Sequence, residues 1–110
     1  MNFSELLPLG SVVILHNAVK KIVIIGYMPI KRNTNGEETI YDYVGVPYPE
    51  GYMTQESLLL FCHDKIDTVI FDGYANEERS LFVNMIRKLV DKTNEVVGAV
   101  EQEVQYKNRT

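Results

Sequence analysis

Tryptophan is absent from this 110-residue chain, and cysteine occurs once, at Cys62. A single cysteine excludes an internal disulfide framework and suits a reducing compartment. Apolar runs such as Ile22 to Ile25 are far shorter than the roughly 20 residues needed to cross a bilayer. Residues 1–15 contain Glu5 and neither Lys nor Arg. We therefore expect no secretory signal, since such a signal begins with a positively charged region. We therefore expect a cytoplasmic protein without a membrane span.

An excess of positive charge is also missing, which argues against nucleic acid as a partner. The chain has 11 basic and 15 acidic residues, for a net charge of -4. Between Glu50 and Glu78 seven acidic residues stand against Lys65 alone. This stretch predicts either an acidic face that steers a basic partner or an ordinary solvated surface. Hydrophobic residues make up 45% of the chain, so we expect a folded globular domain.

Most of the chain before residue 74 has the pattern of strands. Apolar and β-branched runs predict five of them, over Ser11–His16, Lys20–Met28, Thr39–Val46, Leu58–Cys62 and Asp67–Gly73. The Asn35-Gly36 pair is typical of a tight hairpin turn, and Gly45 inside a strand indicates a bulge or a close backbone approach. The first two runs are apolar on both faces. These features predict an α+β domain whose mostly antiparallel strands form a twisted sheet or a small SH3-like barrel.

A single amphipathic helix is predicted to begin after Asn76, a favoured N-cap followed by two glutamates. Its apolar residues recur at 3–4 spacing, and we expect it to end near Asp91–Thr93 with its stripe packed on the sheet. Residues 1–93 would then form one domain, with a weak second helix or a frayed tail over 94–110. The predicted core comprises Val12, Ile14, Val23, Ile25, Val44, Leu59, Phe61, Val69, Phe71, Leu81, Met85 and Leu89.

No motif in the sequence predicts catalysis, a cofactor or a metal site. Cys62 and His63 are adjacent, so in a strand their side chains point to opposite faces, which disfavours a catalytic pair. We expect His63 to stitch a turn through a backbone hydrogen bond. The candidate metal ligands His16, His63, Asp64 and Asp67 lack a ligand spacing. Glycine-rich phosphate loops and nucleophile elbows are absent.

Tyrosine is the aromatic residue that this sequence favours, with seven of its eleven aromatics. Four tyrosines fall between Tyr41 and Tyr52, and strand alternation places Tyr41 and Tyr43 opposite an aliphatic face. They would then be partly exposed and suited to a protein interface, or they would cover the sheet under the helix. The candidate partner-binding residues are Tyr41, Tyr43, Tyr48, Glu50 and Tyr52.

Four segments, in order, resemble a family known as domain of unknown function 4176. They are LPLGSVV (7–13), IVIIGY (22–27), YDYVGVPYPEG (41–51) and FCHDKIDTVIFDGY (61–74). The resemblance covers about residues 6–89. Members of that family are small proteins of Firmicutes encoded in type VII secretion loci, beside LXG-type toxins and small helical partners. The family has no established catalytic residues to transfer onto this chain.

The resemblance implies a non-enzymatic accessory protein, a cytosolic chaperone or adaptor that binds an LXG-type toxin or another type VII substrate before export. Two alternatives stay open at this point. One is an immunity protein that neutralises a cognate toxin, and the other is a small enzyme that uses Cys62 and His63. Association with a second copy of the chain is left open as well.

Overall fold

A computed structural model gives the fold, and it describes residues 6–100, with side chains up to residue 89. The chain divides into two compact units after Ala75. The first unit holds all the described strands, and the second is helical.

The first unit is built on an open, five-stranded antiparallel sheet. Its strands follow the order β6-β5-β2-β1-β7, and a separate two-stranded sheet pairs β3 with β4. The bounds are β1 Val12–Leu15, β2 Lys21–Tyr27, β3 Ile30–Arg32, β4 Glu38–Ile40, β5 Tyr43–Pro47, β6 Leu59–Phe61 and β7 Ile66–Phe71. The α+β prediction with antiparallel strands is confirmed. The barrel alternative is wrong, because the described strands β6 and β7 stay at opposite edges.

The strand predicted over Thr39–Val46 is in fact two strands, β4 and β5. The break coincides with Met28, whose φ of 58° turns the opposing chain. There Met28 N–H donates to Asp42 O at 3.1 Å, and Tyr41 N–H donates to Pro29 O at 3.0 Å. The β3–β4 hairpin closes at the predicted turn, where Gly36 has a φ of 90° and Asn35 Oδ1 accepts from Glu37 N–H.

The core lies on the face of β1 and β2 opposite to the predicted one. The core cluster on this face consists of Leu6, Val13, Ile22, Ile24, Tyr43 and Phe61. Cross-strand pairing of Val13 with Ile22, and of Ile24 with Gly45, brings these positions onto one face. The predicted core residues Val12 and Ile14 are half-buried, and Ile25 is exposed. Both faces are apolar, so alternation alone did not distinguish them.

Several predicted core residues elsewhere are exposed. Val69 and Phe71 of β7 and Leu59 of β6 belong to the two edge strands. Phe61, by contrast, is buried as predicted. An edge strand has a neighbour on one side only, which leaves its side chains less covered than those of a central strand.

Gly45 allows the closest approach in the centre of the sheet. A Cβ atom at this position would lie 2.5 Å from Ile22 Cγ2 and 2.9 Å from Val23 O. The predicted close approach is therefore confirmed. Beside it the β2–β5 register shifts between Ile24 and Gly26, which leaves Ile25 as an extra residue of β2.

The second unit contains a helix, α1, over Glu77–Val100. Its start is as predicted, because Asn76 Oδ1 accepts from Arg79 N–H at 3.0 Å. The helix does not end near Asp91–Thr93 but continues to Val100, so the second helix expected from residue 94 is part of α1. Residues 101–110 of that prediction lie outside the described residues. No helix in the described part of the chain is long and apolar enough to cross a membrane.

Leu81, Met85 and Leu89, all predicted for the core, are exposed on α1 by 65%, 52% and 59%. Within the second unit itself this stripe is therefore not covered. The packing of α1 on the sheet stays a prediction.

Candidate functional site: a tyrosine cluster and an aromatic loop

The tyrosines predicted to bind a partner divide into two groups in the structure. Tyr43 is completely buried, so the prediction that its ring is exposed is wrong. Tyr48 and Tyr52 are exposed by 52% and 61%, and Tyr41 is half-buried between β4 and β5. Tyr43 is buried because it pairs with Tyr27 of β2 and Phe61 of β6, on the face that forms the core.

Three rings surround that of Tyr43. We call the four residues together the tyrosine cluster: Tyr27, Tyr43, Phe61 and His63. The centroid of the Tyr43 ring lies 6.1 Å from that of Tyr27, 5.4 Å from Phe61 and 5.8 Å from His63. All three pairs are tilted, a geometry that aromatic quadrupoles favour. The pairs of Tyr43 with Tyr27 and with Phe61 each contribute about 0.5–1.5 kcal/mol beyond their buried area.

The hydroxyls of the tyrosine cluster hold the main chain of Leu7. Leu7 N–H donates to Tyr43 Oη at 3.1 Å, and Tyr27 Oη–H donates to Leu7 O at 2.6 Å. Two side chains thus satisfy both polar groups of one residue, as a neighbouring strand would do. The segment before β1 is thereby attached to the core.

His63 joins the cluster through both its ring and its backbone. Its Nδ1 lies 2.7 Å from Tyr43 Oη, and its N–H donates to Asp42 Oδ2 at 2.8 Å. Which of the two atoms donates in this contact depends on the tautomer of the His63 ring, because the Tyr43 hydroxyl can both donate and accept. These contacts differ from the expected stitching of a turn by His63, since its ring contacts the Tyr43 hydroxyl and its own backbone N–H bonds the Asp42 side chain.

The ring of His63 is engaged with Tyr43 rather than with Cys62. Nδ1 faces Tyr43, so this nitrogen is not directed at Cys62, which is half-buried. His16 lies instead beside Asp67, at 3.3 Å in an exposed pair. Among the described residues no group of three or more His, Cys, Asp or Glu side chains is arranged to hold a metal ion.

The second group of tyrosines belongs to the loop after β5, residues 48–54, which we call the aromatic loop. Tyr48, Tyr52 and Met53 are all more than half exposed there. Gly51, with a φ of 73°, donates its N–H to Pro47 O at 2.7 Å and closes a turn. Tyr48 N–H donates to Lys21 O at 2.9 Å. These two backbone hydrogen bonds restrain the main chain of the loop, while its large apolar side chains remain exposed to solvent.

Glu50 connects the aromatic loop to the turn between β1 and β2. Its carboxylate accepts a hydrogen bond from Lys20 Nζ at 2.8 Å. That hydrogen bond, together with a backbone hydrogen bond, holds the pKa of Glu50 below its ordinary value. Both side chains are about half exposed, so the ion pair orients the loop more than it stabilises the fold.

Sequence reasoning missed the contributions of Leu7 and Tyr27. Nothing in the local sequence around Tyr27 marks it as a partner of Tyr43, because the two meet only through the β2–β5 register. The alternation of β5 predicts that its aliphatic face points inward. In the structure the large Tyr43 ring occupies the core instead. A strand-pairing signal between the segments around Tyr27 and Tyr43 would have identified the cluster.

Comparison with known proteins identifies the family of the chain. The family described as domain of unknown function (DUF4176) matches residues 6–82, which include the seven described strands and the start of α1. No curated protein and no solved structure matches the chain. The matched region contains both the tyrosine cluster and the aromatic loop. On this match over more than half of its length, the chain belongs to the DUF4176 family.

Proposed function

We propose that this protein is a non-enzymatic accessory factor of type VII secretion, a cytoplasmic chaperone or adaptor that binds an LXG-type toxin before export. Two considerations support the proposal. The chain belongs to the DUF4176 family, and the resemblance described above implies an accessory factor of type VII secretion. The single structural observation that carries it is the aromatic loop, with Tyr48, Tyr52 and Met53 all exposed.

The aromatic loop has the chemistry of a protein contact surface. Tyrosine brings a large apolar area and a hydroxyl at the cost of only two side-chain torsions, which is why it is enriched at interfaces. Isolated exposed apolar side chains are ordinary, whereas this loop has three within six residues, and in our proposal they act as one patch. In our proposal this patch covers an aggregation-prone segment of the toxin until export.

The tyrosine cluster would support that role from the interior. Tyr43 begins β5 and Pro47 ends it, and the aromatic loop starts at that end. The cluster therefore contributes to the rigid strand from which the loop extends. In this proposal Tyr48, Tyr52 and Glu50 contact the client, Tyr41 lies at the margin, and Tyr43 does not contact it.

The acidic charge would favour a basic client surface. Seven carboxylates between Glu50 and Glu78 oppose one lysine. Charge of this kind mainly raises the rate of encounter with a positive surface. We expect binding to weaken as salt is added, chiefly through slower association.

The test is co-purification with the toxin encoded beside the gene, using its LXG region and its C-terminal toxic domain as separate baits. We expect the LXG region to be retained by the protein. Replacing Tyr48 and Tyr52 together with alanine should abolish retention and leave the melting temperature unchanged. Val19→Ala is the matched control, because Val19 is 92% exposed in a different turn.

Other outcomes would contradict the proposal. Retention of the toxic domain alone, with rescue of growth when that domain is expressed, would establish an immunity protein instead. Retention of neither bait would also contradict the proposal, because the protein would then bind neither region of the toxin. Undiminished retention by the double alanine variant would move the contact away from the aromatic loop.

A further inference from the structure

The connection between β1 and β2 holds the aromatic loop at two successive residues. Lys21, the first residue of β2, accepts the N–H of Tyr48 on its carbonyl oxygen at 2.9 Å. The residue before it, Lys20, places Nζ 2.7 Å from Oε1 and 2.8 Å from Oε2 of Glu50. One ammonium group therefore engages both carboxylate oxygens, and the loop is attached at its first and third residues.

Only the contact made by Lys20 depends on which residue occupies its position. The bond to Tyr48 uses a main-chain carbonyl, which every residue would supply at position 21. The bond to Glu50 needs a long cationic side chain at position 20. A single substitution at position 20 can therefore remove one attachment of the loop without changing any residue of the loop itself.

The attachment at Glu50 comes directly before the exposed side chains of the loop. Gly51 follows with a φ of 73°, and its N–H is bonded back to the end of β5. Tyr52 and Met53 come next and are exposed by 61% and 72%. In the described part of the chain neither of them forms a hydrogen bond or an ion pair. Their placement therefore depends on the restrained backbone that precedes them.

We propose that Lys20 is a positioning residue for the aromatic loop. Its ammonium group fixes the Glu50 carboxylate and thereby restrains the backbone from which Tyr52 and Met53 extend. A restrained loop loses less conformational entropy on binding, so the restraint raises the affinity for the client. Lys20 acts through Glu50 and does not itself contact the client. The effect on client binding rests on the proposed function, whereas the restraint of the loop does not.

The charge of Lys20 separates positioning from electrostatic steering. Replacing Lys20 with methionine makes the protein more negative, which favours encounter with a basic client. Loss of the restraint acts in the other direction, because a looser loop releases the client sooner. A weaker complex with faster dissociation and no slower association therefore identifies positioning, since steering alone predicts tighter binding.

Surface plasmon resonance of the full chain with the LXG region measures both rates. We expect Lys20→Met to raise the dissociation constant about two- to fivefold, the range that an exposed ion pair contributes, and to leave the melting temperature unchanged. Lys20→Arg keeps the cation and should bind as the wild type does. Lys31→Met is the matched control, because Lys31 is an exposed lysine in the separate β3–β4 hairpin and its loss changes the charge equally.

Amide hydrogen exchange of the chain without client tests the restraint directly. We expect the N–H groups of Tyr48 and Gly51 to exchange faster in Lys20→Met than in the wild type, because the loop opens more often. Salt screens an exposed ion pair, so added salt should speed exchange at these two groups in the wild type and have little further effect in Lys20→Met. Lys31→Met should exchange there as the wild type does.

The two measurements distinguish failure of the positioning role from failure of the proposed function. A wild type that does not bind the LXG region contradicts the proposed function, and exchange at Tyr48 and Gly51 then decides whether Lys20 restrains the loop. If the wild type binds, undiminished affinity or unchanged exchange in Lys20→Met overturns the positioning role and leaves the proposed function intact. Equal weakening by Lys31→Met would assign the loss to net charge and overturn the role as well.

Discussion

The tyrosine cluster and the aromatic loop use the same residue type for opposite purposes. Tyr43 and Tyr48 are five residues apart, yet one ring is fully buried and the other is half exposed. Tyr43 lies in β5, between Tyr27 of β2 and Phe61 of β6, with which it pairs. Tyr48 follows the end of β5 and has no such neighbours in the sheet. Two tyrosines close in sequence therefore have opposite environments, because the pairing of β5 with its neighbouring strands buries Tyr43 and ends before Tyr48.

The largest effect should come from removing the centre of the cluster. Tyr43→Ala takes away a ring with no exposed surface and three aromatic neighbours, so we expect a loss of about 3–5 kcal/mol in the free energy of unfolding. Chemical denaturation would measure it. Tyr48→Ala is the matched control and should change stability by less than about 0.5 kcal/mol. Equal losses from both variants would erase the distinction between the two regions.

Crowding the sheet beside the cluster should have the next largest effect. In Gly45→Ala the new methyl carbon would overlap Ile22 Cγ2 and Val23 O, and we expect a cost of about 1–3 kcal/mol. A urea titration of the variant would give the value. Met53→Ala, in the aromatic loop, should be nearly neutral. A neutral Gly45→Ala would indicate that β2 and β5 can move apart at little cost.

Removing only the hydroxyl of Tyr43 separates ring packing from hydrogen bonding. Tyr43→Phe keeps the ring and withdraws the hydroxyl that bonds Leu7 N–H and His63 Nδ1, so we expect a cost of about 1–3 kcal/mol. Amide hydrogen exchange should show Leu7 losing protection first. Tyr27→Phe should expose the same segment through Leu7 O. Unchanged exchange at Leu7 in both variants would show that the hydroxyls do not hold this segment.

The aromatic loop should tolerate what the cluster does not. Replacing both Tyr48 and Tyr52 with alanine removes exposed rings, and we expect less than about 1 kcal/mol of change in total. Differential scanning calorimetry would compare this variant with Tyr43→Ala. A melting temperature as low as that of Tyr43→Ala would place the loop rings in the core.

The smallest effect should be a pH dependence from Glu50. Its pKa is lowered in the folded state by the Lys20 hydrogen bond, so its contribution is present above the unfolded pKa and disappears as pH falls through the folded one. The stability difference between the wild type and Glu50→Gln should therefore shrink on acidification. Denaturation at several acidic pH values would detect this trend. A difference that grows on acidification would contradict the assigned direction.

Local sequence signals predicted the elements that depend on local chemistry. The hairpin turn at Asn35-Gly36, the helix start at Asn76 and the close approach at Gly45 all follow from backbone geometry or a single hydrogen bond. The inward face of β1 and β2 did not follow, because both faces are apolar and the choice depends on pairing with distant strands. The position of Tyr43 failed for the same reason.

The end of α1 shows a different limit of sequence reasoning. Gly98 and a run of valines are poor helix formers, which favoured an end near Thr93. The helix continues to Val100 nonetheless. Local propensity is a weak guide where it competes with propagation of a helix that has already begun.

The strand order also has a consequence for how this protein is synthesised. β1 and β2 are neighbours in sequence and can pair as soon as both leave the ribosome, but the other edge of β1 is covered by β7. Roughly 50 residues separate Leu15 from Ile66, which at about 5–20 residues per second is on the order of 3 to 10 s of translation. Throughout that interval an early strand rich in valine and isoleucine keeps one edge unpaired. The nascent chain should therefore need protection most before its last strand emerges.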